Sequence, residues 1–130
     1  MQTSTKKIFI IDDDQFLVNM YSLKFGKSGY EVASAGGAAE ALNKMRDGYM
    51  PDVVLLDIVM PVMDGLELLR VIRKENLSSM TTFIVLSNQG HTADIAKAKE
   101  LGVAGYIVKA STIPSEVVKQ VNDIFEKRKK

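Results

Sequence analysis

Four apolar runs, each ending in a polar side chain, constrain the fold of this chain more than any other feature. Ile8-Phe9-Ile10-Ile11 ends at Asp12-Asp13-Asp14, and Val53-Val54-Leu55-Leu56 ends at Asp57. Phe83-Ile84-Val85-Leu86 ends at Ser87, and Tyr106-Ile107-Val108 ends at Lys109. Runs this short and this uniformly apolar read as strands buried on both faces, the form strands take in parallel sheets. The segments between them have helical period. A helix is expected over Gln15–Lys27, with Phe16, Met20 and Leu23 as its inner face and Ser28-Gly29 as its stop. A short second strand at 30–34 is followed by Gly36-Gly37 and an alanine-rich helix to about Arg46. Leu66, Leu69 and Ile72 mark a third helix, and the polar loop 88–92 opens a fourth toward Leu101. The last helix carries Pro114 in its first turn and buries Val117, Val118, Val121, Ile124 and Phe125.

Strand and helix alternating in this way give consecutive βαβ units with right-handed crossovers. The expected fold is α/β: a doubly wound, three-layer, flavodoxin-like domain over 1–130. It has five parallel strands in the order 2-1-3-4-5 and five helices. All strands of such a sheet present their carboxyl ends along one edge, where ligands bind. In that order the first and third strands are neighbours, so Asp12, Asp13 and Asp57 crowd one crevice.

Composition removes several function classes. The chain has 130 residues and 46% hydrophobic content, enough for one real core. It contains no cysteine, which excludes a disulfide framework, a thiolate zinc site and a cysteine nucleophile, and fits a reducing cytoplasm. No apolar run reaches membrane-spanning length. Net charge is +1, but the basic tail 127–130 supplies four of the positives, and without it acidic residues outnumber basic ones. Such a body does not advertise nucleic-acid binding.

Several carboxylates within a few ångströms repel by about 1–4 kcal/mol per pair, so a fold keeps them only with a neutralising cation or a retained proton. An all-oxygen cluster without histidine or cysteine suits a hard cation, Mg²⁺ before Ca²⁺, which keeps waters exchangeable for phosphoryl oxygens. Lys109 and Ser87 then offer a positive charge and a hydroxyl to the same phosphoryl group. Asp57 is left as the nucleophile. Positioning plus charge neutralisation is what phosphoryl transfer needs.

These pieces carry a resemblance that covers essentially the whole chain. Ile10-Ile11-Asp12-Asp13-Asp14, Leu55-Leu56-Asp57-Ile58-Val59-Met60-Pro61-Val62-Met63-Asp64-Gly65, Leu86-Ser87 and Tyr106-Ile107-Val108-Lys109 resemble the receiver domains of two-component response regulators. The resemblance implies a cytoplasmic signalling switch and not an enzyme. Asp57 would accept a phosphoryl group from a phosphohistidine of a sensor histidine kinase or a histidine phosphotransfer protein. It further implies Mg²⁺ held by Asp13, Asp57 and the Val59 carbonyl, with Asp12 nearby through water. Ser87 and Lys109 would read the phosphoryl group, and Tyr106 would turn inward as Ser87 is drawn toward it. Output is expected as contact with another protein through the fourth helix, fifth strand and fifth helix, with no direct nucleic-acid partner and no membrane insertion.

The sequence departs from the family's pattern at two places. Ala110 follows Lys109 where most members carry a proline with a cis bond. A cis bond before a non-proline residue costs about 2.5–4 kcal/mol, so a trans, rearranged loop is expected there. Asn88 is bulkier than the usual alanine and narrows access to the acyl phosphate. Val59 and Gln89 occupy the flanking positions that tune hydrolysis. Three other classes compete. A flavodoxin-like cofactor binder would want a hydroxyl-rich phosphate cradle for FMN in the first loop, where this chain has aspartates. A Mg²⁺-dependent phosphohydrolase of haloacid-dehalogenase type would use Asp12 as nucleophile, but Asp12-x-Asp14-x-Phe16 fails at its last position and leaves Asp57 unexplained. A degenerate receiver would act as an interaction module without phosphorylation, with Ala110 as its support.

Overall fold

The computed structural model describes residues 5–88, 90–109 and 112–129, the last without its side chain. Gln89, Ala110 and Ser111, and with them the Lys109–Ala110 bond, lie outside the described residues. The elements run β1 (Lys7–Ile11), α1 (Gln15–Lys27), β2 (Glu31–Ala35), α2 (Ala38–Arg46), β3 (Val53–Leu56), α3 (Gly65–Lys74), β4 (Thr82–Ser87), α4 (Thr92–Glu100), β5 (Gly105–Val108) and α5 (Pro114–Lys129). The five strands form one parallel sheet in the order β2-β1-β3-β4-β5, as the alternation requires.

Strand residues alternate between two cores. Phe9, Ile11, Val54, Leu56, Phe83 and Val85 face α2, α3 and α4. Ile8, Ile10, Val53, Leu55, Ile84 and Leu86 face α1 and α5, where Val117, Val118 and Val121 are buried and Ile124 and Phe125 pack at the margin. Both faces of the three central strands are therefore dry, which explains why their sequences show no polar alternation.

Two sequence expectations need correction. The inner face of α1 is Val18, Tyr21 and Phe25, whereas Phe16 is 76% and Leu23 67% exposed and Met20 is half-buried. This helix is apolar on two sides, so periodicity alone admits either stripe. The N-cap at Asp14 fixes its phase, and Phe25 stands edge-on to Tyr30 at 5.2 Å between ring centres. The second strand begins at Glu31, one residue later than expected. Tyr30 belongs to the helix stop: Gly29 takes φ +95° and the Tyr30 amide donates to the Phe25 carbonyl, a Schellman closure.

Candidate functional site

β1 and β3 pair directly, with Ile11 beside Leu56, so the residues that follow each strand emerge together. The Asp57 amide donates to the Ile11 carbonyl at 3.0 Å and the Asp12 amide to Ala35 at 3.2 Å, which extends the sheet's pairing one residue into the site. Carboxylate oxygens of Asp12, Asp13 and Asp57 all lie within 4.8 Å of one another. Asp12 and Asp57 are buried and Asp13 is exposed. Asp14 is separate from this group. Its side chain accepts the Leu17 amide at 3.3 Å and caps α1.

The loop after β3 is held by α3. The Gly65 amide donates to the Ile58 carbonyl at 2.7 Å, and a β-carbon at Gly65 would stand 2.3 Å from the Asp57 carbonyl oxygen. Only glycine permits this approach. Asp64 caps the helix, accepting the Glu67 amide at 2.9 Å, while the Glu67 side chain reaches back to the Asp64 amide. Val62, at φ +71°, is fully exposed in a conformation that β-branched residues avoid.

The acids open into a cleft of about 320 Å³ lined by Asp12, Asp13, Asp14, Leu17, Asp57, Val59, Asn88 and Lys109. Asp14 and Leu17 are the lining residues without a place among the sequence candidates. The two are linked by the cap itself, in which the Leu17 amide donates to the Asp14 carboxylate. Lys109 donates to Asp12 at 3.0 Å, a pair in which both side chains are less than 10% exposed. Burial lifts the Asp57 carboxyl to about 6; Lys109 pulls it down, Asp12 and Asp13 push it up, and a long contact from the Val59 amide at 3.4 Å favours the charged form. Ser87, the last residue of β4, is buried and does not line the cleft; its side chain is hydrogen-bonded to that of Tyr106. Burial raises the Tyr106 phenol and the Ser87 bond opposes that shift. Asn88 sits exposed at the cleft's edge. The structure thus gathers Asp12, Asp13, Asp57, Val59, Asn88 and Lys109 at one cleft and links Ser87 to Tyr106.

A family model for the response regulator receiver domain matches residues 8–122. The chain belongs to that family. This receiver is 31% identical over 121 residues to the DNA-binding response regulator MtrA of Mycolicibacterium smegmatis, covering 93% of this chain and 51% of the relative. It is also 31% identical over 122 residues to the alkaline phosphatase synthesis transcriptional regulatory protein PhoP of Bacillus subtilis, covering 94% and 49%. It therefore spans about half the length of the curated relatives it matches. A CheY-like receiver domain protein from Methanospirillum hungatei superposes with a TM-score of 0.86 at 25% identity, covering 97% of this chain and 98% of that one. CheY4 of Vibrio cholerae gives 0.84 at 27%, covering 93% and 99%.

Receiver domains interact with histidine kinases and act as signalling switches, and they bind Mg²⁺ at an aspartate cluster that corresponds here to Asp12, Asp13 and Asp57. Three carboxylates with no nitrogen or sulfur ligand fit that cation. Relatives named as DNA-binding regulators do not match the expectation of no direct nucleic-acid partner. Among the described residues no helix is long and apolar enough to cross a membrane.

Proposed function

We propose that this receiver is a phosphorylation-dependent switch in which Asp57 accepts a phosphoryl group from a phosphohistidine donor. The observation that carries the reading is the buried Asp57 carboxylate clustered with Asp12 and Asp13 at the mouth of an open cleft. An Asp57 oxygen attacks phosphorus, the bond to the imidazole nitrogen breaks, and an aspartyl phosphate forms. Asp12, Asp13, Asp57 and the Val59 carbonyl would hold Mg²⁺, which supplies neutralisation of the acids and of the phosphoryl oxygens. Lys109 exchanges its bond to Asp12 for one to a phosphoryl oxygen. Ser87 donates its hydroxyl to another, which loosens its tie to Tyr106 and reshapes the face made by α4, β5 and α5 toward a protein partner.

The phosphohydrolase reading loses its second acid, because Asp14 is exposed and turned back to cap α1. Incubation with acetyl phosphate and Mg²⁺ followed by mass spectrometry tests the proposal. One phosphoryl mass should appear on the peptide carrying Asp57 and vanish with chelator or with Asp57→Asn. A phosphate that persists in Asp57→Asn at the same peptide contradicts it.

A further inference from the structure

Both ends of α3 reach other parts of the molecule. Its amino end is locked to the Asp57 loop through Gly65 and Ile58. Its carboxyl end carries Arg73, whose guanidinium lies 4.7 Å over the Phe83 ring at the start of β4. From there Nε donates to the Leu101 carbonyl at 2.8 Å and Nη2 to the Gly102 carbonyl at 3.2 Å. Leu101 is the C-cap of α4 and Gly102 is its left-handed stop, at φ +86°. A cation bonded to carbonyls at a helix end meets groups the helix leaves without partners and the negative end of its dipole. Among the described residues Arg73 forms no ion pair, so these carbonyls and the ring are what hold it.

The two ends of α4 are held unequally. At the carboxyl end Ala98 is fully buried, Leu101 and Val103 pack on the core, and the Val103 amide closes onto Ala98 at 3.2 Å. At the amino end His91 makes no side-chain cap, Thr92 and Ala93 are exposed, and Asp94 and Ile95 are only half-buried. In the chain this end follows the site closely, its N-cap His91 lying three residues beyond Asn88. α5 is tied on the same side as the Arg73 contact: Arg128 donates to the Thr82 hydroxyl at 3.1 Å and to the Met80 carbonyl at 3.4 Å. The guanidinium ties therefore gather at the amino ends of the strands, opposite the acidic cleft.

We propose that Arg73 is the pin about which α4 moves, a positioning residue that fixes the carboxyl end of α4 to α3 so that a pull at Ser87 swings only the amino end. The nine-residue helix then acts as a lever about 13 Å long with its fulcrum at residues 101–102. This rests on the phosphorylation reading above.

Amide exchange on the full chain tests it, with and without Mg²⁺ and beryllofluoride, in the wild type, Arg73→Met and Arg73→Lys. The bound beryllofluoride is read independently by its fluorine resonance. In the wild type, protection should change over 91–95 and stay constant over 97–103. Arg73→Met should speed exchange over 97–103 in the unliganded protein by roughly ten- to a hundredfold, the factor expected on losing charge-assisted hydrogen bonds. With beryllofluoride its response should spread to both ends of α4. Arg73→Lys keeps the charge without the planar fork and should fall between. An equal response at 91–95 and 97–103 in the wild type overturns the pin, as does an Arg73→Met pattern identical to wild type. Absence of a bound fluorine resonance counts against the phosphoryl reading instead, and the unliganded comparison still decides the pin. If Arg73→Met does not fold, the wild-type pattern and Arg73→Lys decide.

Discussion

Because burial lifts the Asp57 carboxyl from its ordinary 3.8 to about 6, the folded chain binds more protons than the unfolded chain between those values. Stability from this group is therefore full below pH 4 and is lost as pH rises through 6, by about 3 kcal/mol at most. Asp57→Asn should stabilise the metal-free protein by about 1–3 kcal/mol at pH 7, with the gain fading toward pH 4. Urea unfolding across that range checks it, and a gain independent of pH contradicts it. Two adjacent acids should separate cleanly. Asp13→Asn should weaken Mg²⁺ binding by roughly tenfold or more, measured by calorimetric titration. Asp14→Ala should leave that affinity nearly unchanged and cost about 1 kcal/mol of stability, since its side chain caps α1. Asn88 lines the mouth of the cleft, so Asn88→Ala should shorten the lifetime of the acyl phosphate by admitting water. A decay rate equal to wild type in the presence of Mg²⁺ removes that role.

At the scale of elements, β1, β3 and β4 were readable because strands buried on both faces must be apolar throughout, leaving each terminal polar residue conspicuous. The face of α1 was not readable. Phe16, Met20 and Leu23 have helical spacing, and so do Val18, Tyr21 and Phe25; the choice falls to tertiary packing against Tyr30 and α5. Stability measurements should reproduce the observed face. Phe25→Ala should cost about 3–5 kcal/mol, and Phe16→Ser should change stability by less than about 0.5 kcal/mol. Comparable losses at both positions mean the helix is turned otherwise. The role of Arg73 was equally hidden, since an arginine in the last turn of a helix is ordinary dipole compensation until its carbonyl partners on α4 are seen. The partner of Lys109 was unreadable for the same reason: sequence places the ammonium at the cleft but does not choose between Asp12 and Asp57.

Across the whole molecule, one sheet edge carries the chemistry and the opposite edge carries the ties. The acids, Ser87 and Lys109 lie at or just beyond the carboxyl ends of β1, β3, β4 and β5, while Arg73 and Arg128 fasten α4 and α5 near the amino ends of the strands. On the proposed reading, a charge added at Asp57 would act on a frame fastened at the amino ends of the strands, and so would turn a local event into a change of surface. The central claim is that this charge arrives on Asp57 and nowhere else. Borohydride reduces an aspartyl phosphate to homoserine, so treatment of the phosphorylated receiver followed by peptide sequencing names the acceptor. Homoserine at position 57, formed only with Mg²⁺ present, is the result expected. Homoserine at position 12 or 13, or a phosphorylated chain that yields none, contradicts it.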